Sequence, residues 1–196
     1  MNRKEFLKNC VCGLCSCAAI GLFTPGSATG TEDKAPDDRL SFVKKRYAKL
    51  LEILSSRMDP KTLNDVLFDL GAYCCSSSSE EFLKKYRGDL EGFRQAAKQI
   101  GVKDDFTYDR DKGVITMVSE DRTDCFCPWI SRLNNTPKVA CNCSLGFQQH
   151  MWETLLQKKV TVELKESVLL GGKRCVFQIQ IQDYVPAKGS PEASPK

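Results

Sequence analysis

Four cysteines at short spacing are the residues of this chain best placed to do chemistry. They form two Cys-x-Cys pairs, Cys125 with Cys127 and Cys141 with Cys143. Two short turns that each present a pair of thiols can direct four sulfurs to one point, and four thiolates are the usual ligands of structural zinc and of iron–sulfur clusters. The sequence therefore predicts a metal centre at these four cysteines, with zinc or an iron–sulfur cluster as the cofactor.

Two other fates of these thiols stay open. Disulfides between the pairs are typical of exported proteins, and a single activated cysteine would be a nucleophile. A helix that begins at Ser144, whose hydroxyl suits an N-cap, would place Cys143 just before a helix N-terminus, where the helix dipole favours a thiolate. The spacing thus indicates a cysteine site but leaves metal, disulfide and reactive thiol as alternatives.

Three further cysteines lie in the part of the chain that we expect to fold. The chain has 11 cysteines, and removing the four at positions 10, 12, 15 and 17, in a predicted export signal, leaves seven. An odd number excludes a complete set of disulfides within one chain. Cys74 continues a helical apolar stripe and is expected to be buried. Cys75 is a candidate extra ligand or disulfide partner, and Cys175 is expected in the core.

The only histidine, His150, is the candidate general base. Glu153 lies three residues further along a predicted helix, where the two side chains are neighbours. Together with a nearby thiolate they would supply the nucleophile, the base and the orienting group of a hydrolase. A lone histidine on a helix is more often inert, and both interpretations stay open.

Several apolar side chains near the cysteines also have two interpretations. Helical spacing favours core packing for most of them, whereas a pocket for an apolar ligand would use the same side chains; they are Trp129, Phe147, Met151 and Trp152. On a predicted strand, Glu163 alternates with apolar neighbours and is expected in solvent. If it faced a pocket, it would be a ligand contact.

Length and composition indicate one globular domain. A chain of 196 residues with 41% hydrophobic side chains can bury one ordinary core. Its net charge of +4 is small and spread out, without the basic stripe that a nucleic-acid-binding surface needs. We therefore expect a small-molecule partner and no nucleic-acid partner.

The N-terminal residues have the pattern of an export signal. A basic start, an apolar stretch and a small-residue cleavage site follow one another, and the apolar stretch is too short for a permanent membrane span. Residues 2–8 resemble the twin-arginine export motif, with Lys4 in the place of the second arginine. We expect export to the periplasm or cell envelope of a bacterium. The predicted divisions are a signal at 1–28, a linker at 29–38, one domain at 39–185 and a disordered tail at 186–196.

Helical periodicity dominates the first half of the domain. Apolar residues recur at helical spacing from Leu40 to near Met58. Asp59 and Pro60 suit the N-cap and first position of a second helix, which the serine run at 76–79 is expected to end.

Two shorter helices are predicted to follow. Ser78 and Glu81 have the spacing of a capping box for a third helix. Asp89 suits the N-cap of a fourth helix, which would turn Ile100 inward and end at Gly101.

The second half of the domain has the pattern of strands around one helix. Residues 106–119 predict a hairpin with a turn at 110–113, a helix is expected over 145–156, and alternation over 160–165 and 175–181 predicts two more strands. Phe177 should be buried because it alternates with the polar Gln178 in the last strand. The fold class predicted is α+β, with helices packed on an antiparallel sheet of about four strands.

Three segments of the C-terminal third resemble known families. They are Cys143-Ser-Leu-Gly-Phe147, Val160-Thr-Val-Glu163 and Gly171-Gly-Lys-Arg-Cys-Val-Phe177. These segments look like the 4-vinyl reductase type of ligand-binding domain and its relatives, the L-2-amino-thiazoline-4-carboxylic acid hydrolases. The resemblance implies an α+β fold with a pocket between helices and sheet. These relatives include sensors, binding domains and enzymes, so the resemblance is more specific for fold than for activity.

The function predicted from all of this is that of an exported small-molecule-binding or sensor domain with a cysteine-coordinated metal centre. The first alternative is a hydrolase of cyclic amidine or amide bonds, as the thiazoline hydrolase resemblance implies, with a cysteine or a bound metal activating the nucleophile. The second is a disulfide-stapled binding protein without catalysis.

Overall fold

A computed structural model describes residues 38–131 and 136–186. The predicted export signal, the linker up to residue 37 and the tail from residue 187 lie outside the described residues. None of the helices within this part of the chain is long and apolar enough to cross a membrane.

Four α-helices are present in the described residues. They are α1 (Asp38–Arg57), α2 (Pro60–Lys85), α3 (Leu90–Gln99) and α4 (Cys141–Leu156). The caps of α2 and α3 are as predicted: the Asp59 carboxylate accepts from the Thr62 amide, and the Asp89 carboxylate accepts from the Gly92 amide.

Helix α2 runs unbroken through the serine run, so the predicted break and the capping box at Ser78 are wrong. The serine hydroxyls donate to backbone carbonyls three or four residues earlier instead of capping a new helix; Ser76 bonds to Tyr73, while Ser77 and Ser78 bond to Cys74. This back-bonding lets serine sit inside a helix whose buried face continues beyond it.

The buried stripe of α2 differs from the predicted one. Buried positions recur mainly every fourth residue and are Leu63, Leu67, Gly71, Cys75 and Leu83. Cys74, which the sequence predicts to be buried, is half-buried, and Cys75, the candidate ligand or disulfide partner, is fully buried. The usual spacing of three and four residues from Leu63 leads to Cys74. The buried positions instead repeat every four residues, so the stripe turns slowly around the helix and reaches Cys75.

In the described part of the chain the sheet has four strands, all paired antiparallel, in the order β1-β2-β4-β3. The strands are β1 (Asp105–Asp109), β2 (Val114–Val118), β3 (Val160–Glu166) and β4 (Val176–Ile181). The predicted α+β fold is therefore confirmed, as is the burial of Phe177. Gly113 closes the β1–β2 hairpin at a φ of 64°, a conformation that favours glycine.

Two apolar clusters form the core of residues 38–131 and 136–186. The larger one lies between α4 and the sheet, with Trp152 and Leu155 of α4 packed among Ile115 and Ile179. The smaller one joins α1, α2 and the loop after β2. Ile100, predicted to face inward, is 68% exposed because α3 ends at Gln99 and the chain turns away at Gly101.

Helices α2 and α4 touch backbone to backbone. A Cβ added at Gly71 would overlap the carbonyl oxygen of Cys143, and one added at Gly146 would overlap the carbonyl oxygen of Phe68. Because a side chain at either position would push the helices apart, glycine fixes how closely they pack. This crossing lies at the N-terminal end of α4, where the second cysteine pair is.

Candidate functional site

The two Cys-x-Cys pairs have different backbone structures. Cys125 and Cys127 lie in the loop after β2, where a turn is closed by the amides of Ile130 and Ser131, which donate to the Cys127 carbonyl at 3.1 and 2.8 Å. Cys141 and Cys143 instead lie in the first turn of α4. Ser144 is therefore not an N-cap, and the predicted turn at the second pair is wrong.

The early start of α4 changes where its two thiols point. Positions two apart on an α-helix are separated by about 200° around the axis, so Cys141 and Cys143 present their side chains to different surroundings. The Cys141 sulfur lies 3.2 Å from the Ser167 hydroxyl, and the Cys143 sulfur lies 3.6 Å from the Tyr47 hydroxyl.

Two more thiols lie near these pairs. Cys175, just before β4, lines a small cavity together with Cys125 and Cys141. Cys74 of α2 lies near enough to Cys127 and Cys143 for its charge to raise the pKa of both thiols, after the larger effect of burial. Six cysteines from four segments of the chain thus share one region of the fold.

Burial dominates the electrostatics of these thiols. It is the largest influence on the pKa of all four predicted ligands and raises each of them, that of Cys125 to about 11. Burial raises the pKa of the Cys143 thiol although it lies in the first turn of α4. Two nearby groups act in the opposite direction: Tyr47 lowers the pKa of Cys143 by hydrogen bonding, and Lys44 lowers that of Cys127 by its charge.

The donor chemistry of the cluster suits a soft metal ion. Thiols are the preferred ligands of zinc, Cu(I) and iron–sulfur clusters. Within the described part of the chain, no three cysteine, histidine or carboxylate side chains are already placed to hold an ion. The cavity beside Cys141 has a volume of about 10 Å³, the space of roughly one water molecule. A single ion matches that space better than a cluster of several atoms, and ligation would require the thiols to rotate towards it.

The predicted catalytic pair lies further along α4. From Cys143 to His150 the helix rises by about 10 Å, whereas a general base has to reach its proton donor within hydrogen-bond distance or through one water. The Nε2 atom of His150 is buried and has no hydrogen-bond partner among the described residues. The Glu153 carboxylate pairs with Lys159 at 3.1 Å. Hydrolysis stays a prediction.

The apolar candidates are mostly core residues. Trp152 and Met151 are buried in the larger cluster, and Phe147 packs against it. Trp129 is 46% exposed and lies against Tyr47, with ring centroids 6.4 Å apart. Glu163 is exposed and pairs with Lys165, which fits the expectation that it lies in solvent.

The solved structures similar to this chain include the following two. A trafficking protein particle complex subunit 3 from Naegleria fowleri, covalently bound to palmitic acid, is 18% identical with a TM-score of 0.49, and the match covers 76% of this chain and 99% of that chain. A vinyl-4-reductase family protein from Methanocaldococcus jannaschii is 15% identical with a TM-score of 0.34, and the match covers 78% of this chain and 85% of that one. No protein-family model matches this chain, and no curated protein is significantly similar to it.

The second structure belongs to the vinyl reductase type that the C-terminal segments resemble. At such identities neither likeness carries a ligand or an activity over to this chain.

A second, wider groove lies apart from the cysteines. It has a volume of about 350 Å³, within the range of small-molecule sites. Both signs of charge line it, from Asp89 and Glu91 at the start of α3 and from Arg110 and Lys158 in turns. The predicted small-molecule partner stays a prediction, and this groove rather than the cysteine cavity has room for one.

Alkylation of the folded protein should separate the two adjacent cysteines of α2. Cys75 is 0% exposed and burial raises its pKa to about 12, so it should resist iodoacetamide at pH 8, because the reacting species is the exposed thiolate. Cys74 is half-buried and should react. Mass spectrometry of peptides after a timed alkylation measures both. In denaturant both cysteines should be fully labelled. Equal labelling of the two in the folded protein would contradict the buried placement of Cys75.

Proposed function

We propose that this chain is a metal-sensing domain whose cysteine cluster binds a thiophilic metal ion. The observation that carries the proposal is the convergence of thiols from four separate segments: α2, the loop after β2, the start of α4 and the residue before β4. A soft cation is the ligand that fits this group of cysteines best, since its charge would stabilise thiolates that burial otherwise disfavours.

Ion binding at this place would act on the fold. The loop with Cys127 is tied to α1, where Lys44 donates to the Ser131 hydroxyl at 3.0 Å and to its carbonyl at 3.3 Å. Cys143 lies at the close crossing of α2 and α4. An ion that joined the loop to α4 would therefore cross-link two segments that both pack against the smaller cluster, and free energy of binding would become free energy of folding. A sensor needs such coupling, because binding of the metal ion must change the stability or conformation of the protein.

The export predicted from the N-terminus is part of this proposal. In a cell envelope, disulfides would compete with metal for the same thiols. Charge repulsion among thiolates and their raised pKa favour a cation over free thiolate, but they do not disfavour a disulfide. The test therefore has to be done under reducing, oxygen-free conditions.

Metal binding should be measured on the full chain purified without oxygen, with Cys10, Cys12, Cys15 and Cys17 replaced by serine so that only the folded part contributes thiols. Elemental analysis should find bound zinc or copper, and added ion at 100 times its Kd should stabilise the fold by about 2.7 kcal/mol, seen as a higher Tm. A matched chain with Cys125, Cys127, Cys141 and Cys143 replaced by serine should show neither.

Two results would refute metal sensing. One is a protein that stays metal-free and gains no stability from zinc or Cu(I). The other is a protein whose loop and α4 cysteines are joined in disulfides even after anaerobic purification, which would favour the stapled binding domain instead.

A further inference from the structure

Helix α1 exposes more large apolar side chains than any other element in the described part of the chain. Single exposed apolar residues are ordinary on a protein surface, but a group of them on one element marks an interaction surface. Those of α1 are between 39 and 58% exposed and are Leu40, Phe42, Val43, Leu50 and Ile53.

Four of these side chains lie on one side of the helix. With 3.6 residues per turn, Phe42, Val43, Leu50 and Ile53 fall within a sector of about 100°, which begins about 80° around the axis from Leu51. Leu51 is buried in the smaller cluster. Helix α1 therefore has a buried apolar face and, next to it, an exposed one, which is called here the outer face of α1.

The same helix carries a large share of the positive charge. Its 20 residues include six lysines and arginines but only two acidic residues. Arg46 lies in the sector of the outer face, with its guanidinium 5.4 Å from the centre of the Phe42 ring. Lys49 pairs with Glu52 at 2.7 Å, whereas Lys45 and Arg46 have no carboxylate partner among the described residues. Exposed apolar side chains and unpaired cations thus occur together.

We infer that the outer face of α1 binds the surface of a membrane that contains anionic lipids, with the helix lying in the plane of the headgroups. Helices that lie at such an interface combine an exposed apolar side with lysine and arginine, whose stems pack on apolar surface while their charges reach the headgroups. This inference is independent of the proposed metal site.

Two other partners fit the outer face less well. A second copy that packed symmetrically through α1 would place its cations against the same cations of the first copy. A nucleic-acid backbone would pair with the cations, but it has no apolar counterpart for Phe42 and Ile53. An anionic membrane surface complements both the charge and the apolar side chains.

Co-sedimentation of the full chain with phosphatidylcholine vesicles, with and without phosphatidylglycerol, tests the inference. The chain should bind the vesicles that contain phosphatidylglycerol. The double variant Phe42→Gln/Ile53→Gln should lower the partition coefficient about tenfold or more, because two apolar side chains no longer enter the bilayer. Lys45→Gln/Arg46→Gln should remove most of the preference for the anionic lipid.

The matched control is Val66→Gln/Leu70→Gln on α2. Val66 and Leu70 are 45 and 41% exposed on a helix, but their neighbours in the sequence include Asp65 and Asp69 rather than cations. This variant should bind the vesicles as the parent chain does. Circular dichroism checks that all three double variants are folded.

A local measurement is also needed, because the apolar stretch at 11–23 could hold the full chain on vesicles by itself. A photo-crosslinking phenylalanine analogue at position 42 should label lipid, whereas the same analogue in place of the exposed Tyr73 of α2 should not. A chain that sediments with vesicles without lipid crosslinks from position 42 would overturn the inference. So would a chain that ignores vesicles but forms a dimer, measured by sedimentation equilibrium, that Phe42→Gln/Ile53→Gln disrupts.

Discussion

Trp152→Ala is expected to lower the free energy of unfolding by about 3 to 5 kcal/mol, the usual cost of removing a large buried aromatic side chain. Trp152 is 0% exposed and lies in the larger cluster between α4 and the sheet. Its ring meets Phe106 edge to face at 5.1 Å and Phe93 at 6.4 Å, and aromatic pairs of this geometry add about 0.5 to 1.5 kcal/mol each. Its indole nitrogen donates to Gln148 at 3.1 Å, so the variant also leaves a buried amide without its partner.

Trp129→Ala is the matched control, because Trp129 is 46% exposed and meets only the edge of the smaller cluster. Urea unfolding followed by circular dichroism measures both variants, with the slope m used to check that the denatured states are comparable. Trp152→Ala should lose several times more stability than Trp129→Ala. Equal losses would mean that the larger cluster is not centred on α4.

Gly146→Ala is expected to destabilise the protein by about 1 to 3 kcal/mol, the usual cost of overpacking. Alanine normally stabilises a helix by about 1 kcal/mol relative to glycine. The sign of the change in stability therefore tells whether the close helix crossing outweighs helix propensity. A methyl group at this position would overlap the Phe68 carbonyl oxygen, which belongs to backbone and cannot rotate away. Helices α2 and α4 would have to separate.

Ser77→Ala in α2 is the control for helix propensity. Ser77 is exposed and its hydroxyl only bonds back to Cys74, so alanine there should be neutral or stabilise by a few tenths of a kcal/mol. A stabilised Gly146→Ala protein would contradict the close crossing. Gly146→Ala should also weaken the proposed metal binding, because Cys143 lies at the same crossing.

Periodicity predicted most of the elements because local rules determine them. The caps at Asp59 and Asp89, the β1–β2 hairpin and the inward face of β4 follow from short-range hydrogen bonding and from alternation. The wrong predictions lie where tertiary packing outweighs local preference. The serine run stays helical because α2 continues to pack against α4 beyond it, and α4 begins at Cys141 although Cys141 is not a favoured helix start.

The cysteine pairs were found from spacing alone, but their surroundings were not. Tyr47 and Ser167 lie 96 and 26 residues from the cysteines that they contact, and no local signal connects such positions. Helical spacing predicts burial of Cys74, but the buried stripe of α2 repeats mainly every fourth residue and contains Cys75 instead. One residue in the sequence could have indicated the correct stripe. Gly71 is small enough for a close helix neighbour, and counting four residues from it leads to Cys75 and not to Cys74.

Helix α2 passes through both apolar clusters, with Leu63 and Leu67 in the smaller and Cys75 and Leu83 in the larger. Because α2 contributes buried side chains to both clusters, unfolding of one cluster would disrupt the helix that the other one needs. The two should therefore behave as a single foldon rather than as two. In native-state hydrogen exchange, the amides in the middle of α2 should open only with the whole molecule, at one common free energy, whereas those of α3 should exchange through smaller, independent openings.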